Sequence, residues 1–254
     1  MTPRAQLVGL LLAALAGFAA LAVDVTHGGV LERHDLRVGL WVANRTPGWL
    51  EDIANAITQL GGVWLLVGLV AVGAALLVHA RQRLDAALLV GGLVFGSLVT
   101  NGLKLAFDRP RPTFDAPSPT SHTASFPSGH TSGATVVLVL LAVLLAKRHR
   151  RAAIAGAVLV AGLVGVTRVV VEAHWATDVL AGYCVGAAVV AAALILRSFR
   201  ARAGADMGAS GERGEQDDGR DSRHEEGNGA GGALAEHRAH HLLVVGDLAE
   251  PQRG

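Results

Sequence analysis

Long apolar blocks, separated by short polar or basic segments, make up most of the chain. Six blocks approach the roughly 17–25 residues that cross a bilayer as a helix. They are residues 7–23, 56–80, 86–105, 130–146, 152–171 and 178–196. Glycine and alanine recur in every block, which suits close helix packing in lipid. The pattern predicts an all-α fold, a polytopic membrane helical bundle of about six transmembrane helices.

The first block allows two interpretations, because an apolar stretch behind Arg4 is typical both of a cleaved signal peptide and of a retained span. We expect retention, since the pattern of basic residues described below requires six spans. The mixed segment 24–53 is expected to hold a short interfacial helix, with Trp41 and Trp49 at the level of the lipid headgroups.

Composition separates a membrane domain from a tail. The chain is 51% hydrophobic and 17% charged with a net charge of +1, so its charge balance gives no reason to expect nucleic acid as a partner. The single cysteine, Cys184, lies inside an apolar block and excludes an intrachain disulfide. Gly, His and charged residues prevail near the C-terminus. We assign residues 1–198 to a six-span membrane domain and 199–254 to a disordered cytoplasmic tail.

Basic residues mark alternate ends of the six blocks. They are Arg4, Arg81, Arg83, the cluster at 147–151 and the arginines of 197–202. Because short cytoplasmic segments carry an excess of Lys and Arg, both termini are predicted on the cytoplasmic side of a cell membrane. The segments 104–131 and 168–178 then share the outer face.

The two outer segments hold an unusual set of polar residues. They are Lys104, Arg111, Ser128, Gly129, His130, Arg168, His174 and Asp178. A single Lys or Arg at the end of a span ordinarily extends to the headgroups. Cations that share one pocket instead repel by about 4 kcal/mol per pair at 4 Å and an effective dielectric near 20. A phosphoryl group relieves this repulsion, and the start of a helix adds amide donors.

His174 and Asp178 are four residues apart and share one face of a helix. Asp178 can accept the Nδ1 proton of His174 and leave Nε2 free to attack, while His130 protonates the leaving oxygen. A metal site of two histidines and one carboxylate uses the same side chains. The neighbouring cations disfavour it because they repel a divalent ion, so we expect neither a metal nor another cofactor.

Three motifs in order resemble the signatures of the type 2 phosphatidic-acid phosphatase superfamily, which includes vanadium haloperoxidases and bacterial acid phosphatases. The motifs are Lys104-x6-Arg111-Pro112, Pro127-Ser128-Gly129-His130 and Arg168-x5-His174-x3-Asp178. The resemblance covers about residues 57–196. One position departs from the family, since Thr167 stands where a serine usually precedes the arginine, and threonine keeps the hydroxyl.

The resemblance implies an enzyme that hydrolyses lipid phosphate monoesters or diphosphates without metal, through a phosphohistidine. His174 resembles the nucleophile, Asp178 its orienting partner and His130 the general acid. The residues that resemble the family's phosphate pocket are Lys104, Arg111, Ser128, Gly129 and Arg168.

The expected activity is therefore that of a lipid phosphatase at the outer face, with the bilayer and a lipid phosphate as partners. Undecaprenyl diphosphate and a phosphatidate-like glycerolipid are the candidate substrates. Two other functions stay open, namely transfer of the phosphoryl group to another lipid or sugar and non-catalytic binding of lipid phosphate. The joint presence of both histidines and Asp178 disfavours the binding role, and the spans disfavour haloperoxidase chemistry. The oligomeric state is not predicted.

Overall fold

The apolar blocks form helices in the computed structural model, which describes residues 2–112 and 124–200. Eight α-helices and no strand occur within these two stretches. They are α1 (Pro3–Thr26), α2 (Val30–Ala43), α3 (Gly48–Thr58), α4 (Val63–His79), α5 (Arg83–Phe107), α6 (Gly129–Leu145), α7 (Arg150–Val170) and α8 (Ala176–Arg200). A 3-10 turn, Gln59–Gly61, joins α3 to α4. The predicted all-α class is confirmed.

Helix length and hydropathy support a multi-pass membrane bundle. Four helices, α1, α5, α7 and α8, are long and apolar enough to cross a bilayer. Helices α3 and α4 are bent by 41° at their break, and they bring the number to five when the pair is counted as one broken span. Helix α6 covers the remaining predicted block with only 17 residues, and the residues 125–128 that precede it are themselves buried. The predicted polytopic helical bundle is confirmed, and among the described residues four to five of the six expected spans have the length and hydropathy of a bilayer-crossing helix.

The segment 24–53 differs from the prediction of one short interfacial helix. It holds α2 and most of α3, which are separated at Pro47, a residue without the N–H that a helix interior needs. Helix α3 begins at Gly48, before the predicted span at residue 56, and passes into α4 across Gly61 and Gly62. Trp41 and Trp49 are exposed, as an interfacial position requires.

Helix α6 lies at the centre of the bundle. Its Val136, Val137 and Leu140 are almost completely buried, and they pack in one apolar cluster with side chains of α4, α5 and α8. Van der Waals fit is a main source of helix association in lipid, so contacts on several sides hold α6 in place. This packing fixes the position of its N-terminus.

Polar contacts join helix ends at the end of the bundle where the basic residues lie. Arg197 of α8 forms two hydrogen bonds with the carboxylate of Asp85 at the start of α5, with N–O distances of 2.6 and 2.7 Å. Arg4 Nε donates to Ser198 Oγ at 2.9 Å. The start of α1, the start of α5 and the end of α8 therefore share one end of the bundle. Which side of the membrane this end faces stays a prediction.

Residues 1–198 form one compact unit, and a second unit begins at Phe199. Apart from the last two residues of α8, the predicted disordered tail of residues 199–254 lies outside the described residues. The division into a membrane domain and a cytoplasmic tail therefore stays a prediction.

Candidate active site

The polar residues singled out in the sequence meet at the other end of the bundle. The end of α5 and the segment after it contribute Lys104 and Arg111, the start of α6 contributes Ser128, Gly129 and His130, and the end of α7 contributes Arg168. Asp178 lies in the first turn of α8, whereas His174 lies in the turn before it and not, as predicted, on the same helix. The charges of Arg111, Arg168 and Asp178 all act on Lys104. Four helices thus bring residues from distant parts of the sequence into one electrostatically coupled group.

His174 and Asp178 form the buried centre of this group, with 3% and 0% of their surface exposed. Nδ1 of His174 lies 3.4 Å from Oδ2 of Asp178, which also accepts the Trp175 N–H at 2.9 Å. Burial lowers the pKa of His174 to about 4, although the nearby carboxylate opposes this shift. The imidazole is therefore neutral at pH 7. With its proton on Nδ1, facing the carboxylate, Nε2 carries the free lone pair.

The three cations of the group contact neutral oxygens. Lys104 Nζ donates to the carbonyl of Ala124, Arg111 NH1 to the carbonyl of Ala173 at 2.9 Å, and Arg168 NH1 to Thr58 Oγ1 at 3.0 Å. Neither Lys104 nor Arg168 forms an ion pair with a described carboxylate. Arg168 Nε is buried without a hydrogen-bond partner in the described part of the chain. A bound anion supplies the acceptor that such a buried donor lacks.

The start of α6 adds backbone donors to the group. As predicted, Ser128 is the residue before the helix, and its Oγ accepts a hydrogen bond from Thr131 Oγ1 at 3.0 Å. The N–H groups of Gly129 and His130 have no acceptor among residues 2–112 and 124–200. The positive end of the helix dipole is therefore open to an anion. A Cβ atom placed on Gly129 would lie 3.9 Å from Lys104 Cε, so the lysine adjoins these amides.

A second polar network contacts Asp178 through Oδ1, the carboxylate oxygen that does not face His174. The sequence analysis did not predict this network. Arg109 donates from NH1 to Asp178 Oδ1 at 2.7 Å and from NH2 to Asp35 Oδ2 at 2.8 Å. Thr177 joins the two sides, since its Oγ1 accepts from Arg109 at 2.7 Å and its N–H donates to Asp35 Oδ1 at 3.1 Å. The exposed fractions of Arg109, Asp35 and Asp178 are 8%, 3% and 0%. An arginine is thus held between two buried carboxylates.

This network gives helix α2 a structural role that the sequence did not suggest. Asp35 comes from α2, so the interfacial helix contacts the group around His174 through Arg109. The sequence held one indication that Arg109 is functional, because Arg109-Pro110 directly precedes a second Arg-Pro pair, Arg111-Pro112, which belongs to the first motif. The pairing with Asp35 has no sequence signature.

A cavity of about 230 Å³ opens beside the group, between α4, α5 and α6. Gly129 and His130 line one part of it. The rest of the lining is mostly apolar or small, with three polar residues from α5, and comprises Gly61, Val63, Leu66, Gly92, Leu93, Gly96, Ser97, Thr100, Asn101, Ser132, Gly133 and Val136. A phosphate-binding group next to an apolar cavity within the membrane spans suits an amphiphilic lipid phosphate.

Known proteins share this fold and sequence pattern. Residues 85–202 match the PAP2 superfamily. Phosphatidylglycerophosphatase B of Bacillus subtilis is 35% identical over 177 residues, which cover 66% of this chain and 85% of that protein. A lipid A 1-phosphatase of Rhizobium johnstonii is 33% identical over 168 residues, covering 57% of this chain and 67% of that protein. The crystal structure of a transmembrane PAP2-type phosphatidylglycerolphosphate phosphatase from Bacillus subtilis superimposes with a TM-score of 0.68 at 26% identity, covering 76% and 96% of the two chains.

Fold, residue arrangement and these similarities define the class of the protein as a membrane-embedded hydrolase of phosphoric esters, a lipid phosphatase. The chain belongs to the PAP2 superfamily. The resemblance that the three motifs indicated is confirmed.

Proposed function

We propose that this protein removes the phosphoryl group from a membrane lipid at the outer face, with His174 as the nucleophile and without a metal ion. The observation that carries the proposal is the meeting of two kinds of group at one end of the bundle. A buried neutral histidine backed by Asp178 adjoins a set of cations and open helix amides. The first kind suits attack on phosphorus, and the second suits binding of phosphate oxygens.

The phosphoryl oxygens are bound by Lys104, Arg111 and Arg168 and by the amides that follow Ser128. Each partner is a donor, and three carry positive charge, so the site favours a phosphate dianion. The unpartnered Nε of Arg168 supports this assignment because it lacks an acceptor among the described residues. Arg offers fixed N–H geometry and Lys a compact charge, which together match a tetrahedral group.

The reaction has two steps. Nε2 of His174 attacks phosphorus, and the bond from phosphorus to the lipid oxygen breaks. His130, in the imidazolium form that the bound phosphate dianion favours, gives its proton to that oxygen and becomes neutral. Asp178 keeps the proton of His174 on Nδ1 and stabilises the charge that develops on the imidazole. In the second step His130 takes a proton from water, the water oxygen bonds to phosphorus, and the bond from phosphorus to Nε2 breaks. Inorganic phosphate and free His174 result.

Charge supports the proposal that no metal takes part. In the described portions of the chain, no three His, Cys, Asp or Glu side chains are grouped so as to hold a metal ion. Cations at Lys104, Arg111 and Arg168 supply the positive charge that a metal provides elsewhere. The outer placement rests on the basic residues near the opposite bundle end, because these favour the cytoplasmic side.

The substrate is proposed to be a glycerolipid phosphate, with undecaprenyl diphosphate as the second candidate. The name of the Bacillus relative, phosphatidylglycerophosphatase B, favours the glycerolipid, and the cavity beside His130 suits either lipid. Transfer of the phosphoryl group to an alcohol other than water uses the same intermediate and differs only in the acceptor.

Phosphate release in the presence of a chelator tests this proposal. The purified full-length protein in nanodiscs is given phosphatidate or undecaprenyl diphosphate, and inorganic phosphate is measured with and without EDTA. We expect release from at least one lipid at an unchanged rate when EDTA is present. A rate that EDTA abolishes and zinc or magnesium restores contradicts metal independence. An added alcohol that gains phosphate while free phosphate falls indicates transfer.

Gly182 determines how closely α8 approaches the start of α6. A Cβ atom at this position would lie 2.8 Å from the carbonyl oxygen of Ser128 and 2.9 Å from Thr131 Cβ. Neither neighbour is the end of a flexible side chain, so a substitution must displace the backbone that carries the proposed phosphate donors.

We therefore expect Gly182→Ala to lower both the unfolding temperature and lipid phosphate turnover. Overpacking of this kind costs about 1–3 kcal/mol, and a displaced Ser128 segment should slow turnover by about tenfold or more. Gly156→Ala on α7 is the matched control, because a Cβ there meets nothing within 4 Å, and it should change neither quantity. Equal behaviour of the two variants would contradict the close-packing argument.

A further inference from the structure

The cavity beside His130 carries exposed polar side chains of the candidate membrane span α5. Ser97 and Asn101 are exposed residues of α5, lie one turn apart on the same helix face and line the cavity. Thr100, the third polar residue of this lining from α5, is satisfied by Ser132, with an Oγ1–Oγ distance of 3.0 Å. By contrast, the side chains of Ser97 and Asn101 have no hydrogen-bond partner in the part of the chain that the structure describes.

Unpaired polar groups within a membrane span are costly. An amide or hydroxyl that faces hydrocarbon loses its hydrogen bonds to water and gains none in exchange. Asn101 carries two donors and one acceptor, and Ser97 carries one hydroxyl. A ligand that enters the cavity with hydrogen-bond acceptors at this depth would satisfy both side chains.

The depth of the two residues is set by the geometry of α5. Asn101 lies three residues before Lys104, which is about 4.5 Å along the helix axis, and Ser97 lies about 6 Å further along. In a diacylglycerol phosphate only the short glycerol backbone separates the phosphorus from the ester carbonyls. A phosphate held beside Lys104 therefore brings the ester carbonyls to the level of Asn101, with the acyl chains continuing toward Leu93 and Val136.

We infer that Asn101, with Ser97 one turn deeper, binds the ester carbonyl oxygens of an acylated glycerolipid phosphate. The inference rests on the proposed function and names its substrate class. An ester carbonyl accepts hydrogen bonds, whereas an isoprenoid chain offers no acceptor beyond its phosphates. The Asn101 and Ser97 subsite thus favours ester-linked glycerolipids over isoprenoid diphosphates.

A pair of matched lipids isolates this contact. Diacyl phosphatidate and its dialkyl ether analogue have the same headgroup and chain length, but only the first carries ester carbonyls. The measured quantity is the ratio of kcat/KM for diester over diether in nanodiscs, for the wild type, Asn101→Leu, Asn101→Gln and Leu98→Ala. Leu98 is an exposed residue of α5 outside the cavity lining, and its variant is the control. A variant that is partly unfolded lowers kcat/KM for both lipids by the same factor, because both are assayed with the same preparation. The ratio of the two values is therefore unaffected by the folded fraction.

We expect the wild type to prefer the diester by about three- to tenfold, the effect of one or two net hydrogen bonds. Asn101→Leu should bring the ratio close to one, Asn101→Gln should keep part of it, and Leu98→Ala should keep all of it. A wild-type ratio of one, or a ratio that Asn101→Leu leaves intact, overturns the inference while the phosphatase proposal stands. If the wild type hydrolyses none of the three lipids, namely the diester, the diether and undecaprenyl diphosphate, the proposed function itself is overturned.

Discussion

The His174→Ala variant is expected to hydrolyse lipid phosphate at least about 10⁴-fold more slowly than the wild type. Alanine removes the nitrogen that forms the bond to phosphorus in the proposed reaction, and neither His130 nor Asp178 lies in its place. The cations proposed to bind phosphate are unchanged, so the affinity for substrate should change little. Turnover of phosphatidate in nanodiscs, measured over a range of concentrations with chelator present, separates kcat from KM.

A second histidine provides the control for this variant. His27 directly follows α1, is exposed and takes no part in the site, so His27→Ala should keep wild-type turnover. If His174→Ala instead retained more than about a tenth of the wild-type kcat, histidine attack would be wrong, because removal of the nucleophile should lower kcat far more than tenfold.

Arg109→Met is expected to cause the second large loss, in stability as well as activity. The substitution leaves Asp178 and Asp35 buried without their shared cation, and breaking a buried ion pair in this way costs about 3–5 kcal/mol. Asp178 also loses one of the contacts that orient it toward His174. We expect a lower unfolding temperature and a fall in kcat of about 100-fold or more, with little change in KM.

Additional variants separate the two effects of Arg109. Adding Asp35→Asn to Arg109→Met removes one of the two unpaired charges, so stability should partly recover while kcat stays low. Arg37→Met, on the exposed surface of α2, is the matched control and should resemble the wild type. Wild-type kcat in Arg109→Met would show that the network behind Asp178 does not position His174.

Much of the fold follows from the sequence because span length is a property of local composition. Each predicted block became a helix or a helix pair, since a backbone in hydrocarbon must satisfy its own hydrogen bonds. The break between α3 and α4 escaped prediction. It depends on Gly61, where a Cβ atom would lie 2.6 Å from Val164 Cγ1 and 3.0 Å from the backbone oxygen of His130, and a close approach of this kind arises only in the packed bundle.

In the site, too, contacts between residues close in sequence were predictable, whereas contacts that arise only from tertiary packing were not. Spacing predicted that His174 and Asp178 lie together, although His174 lies in the turn before α8 and not on the helix that carries Asp178. The repulsion among Lys104, Arg111 and Arg168 indicated that an anion gathers them. The pair of Arg109 with Asp35 joins residues 74 apart in sequence. Nothing local distinguishes these two residues from other charged residues near a membrane surface, because their burial results from the packing of α2 against the turn into α8.

Trapping the covalent intermediate tests the central claim, attack by His174, most directly. An aryl phosphate needs no proton on its leaving oxygen, so the His130→Ala variant should complete the first step and stall before the second. We predict a stoichiometric burst of aryl alcohol and, after alkaline quenching, a phosphoryl group on His174 that is absent when His174→Ala is added. Steady turnover with no burst and no phosphorylated histidine, or a phosphoryl group on another residue, would contradict the account.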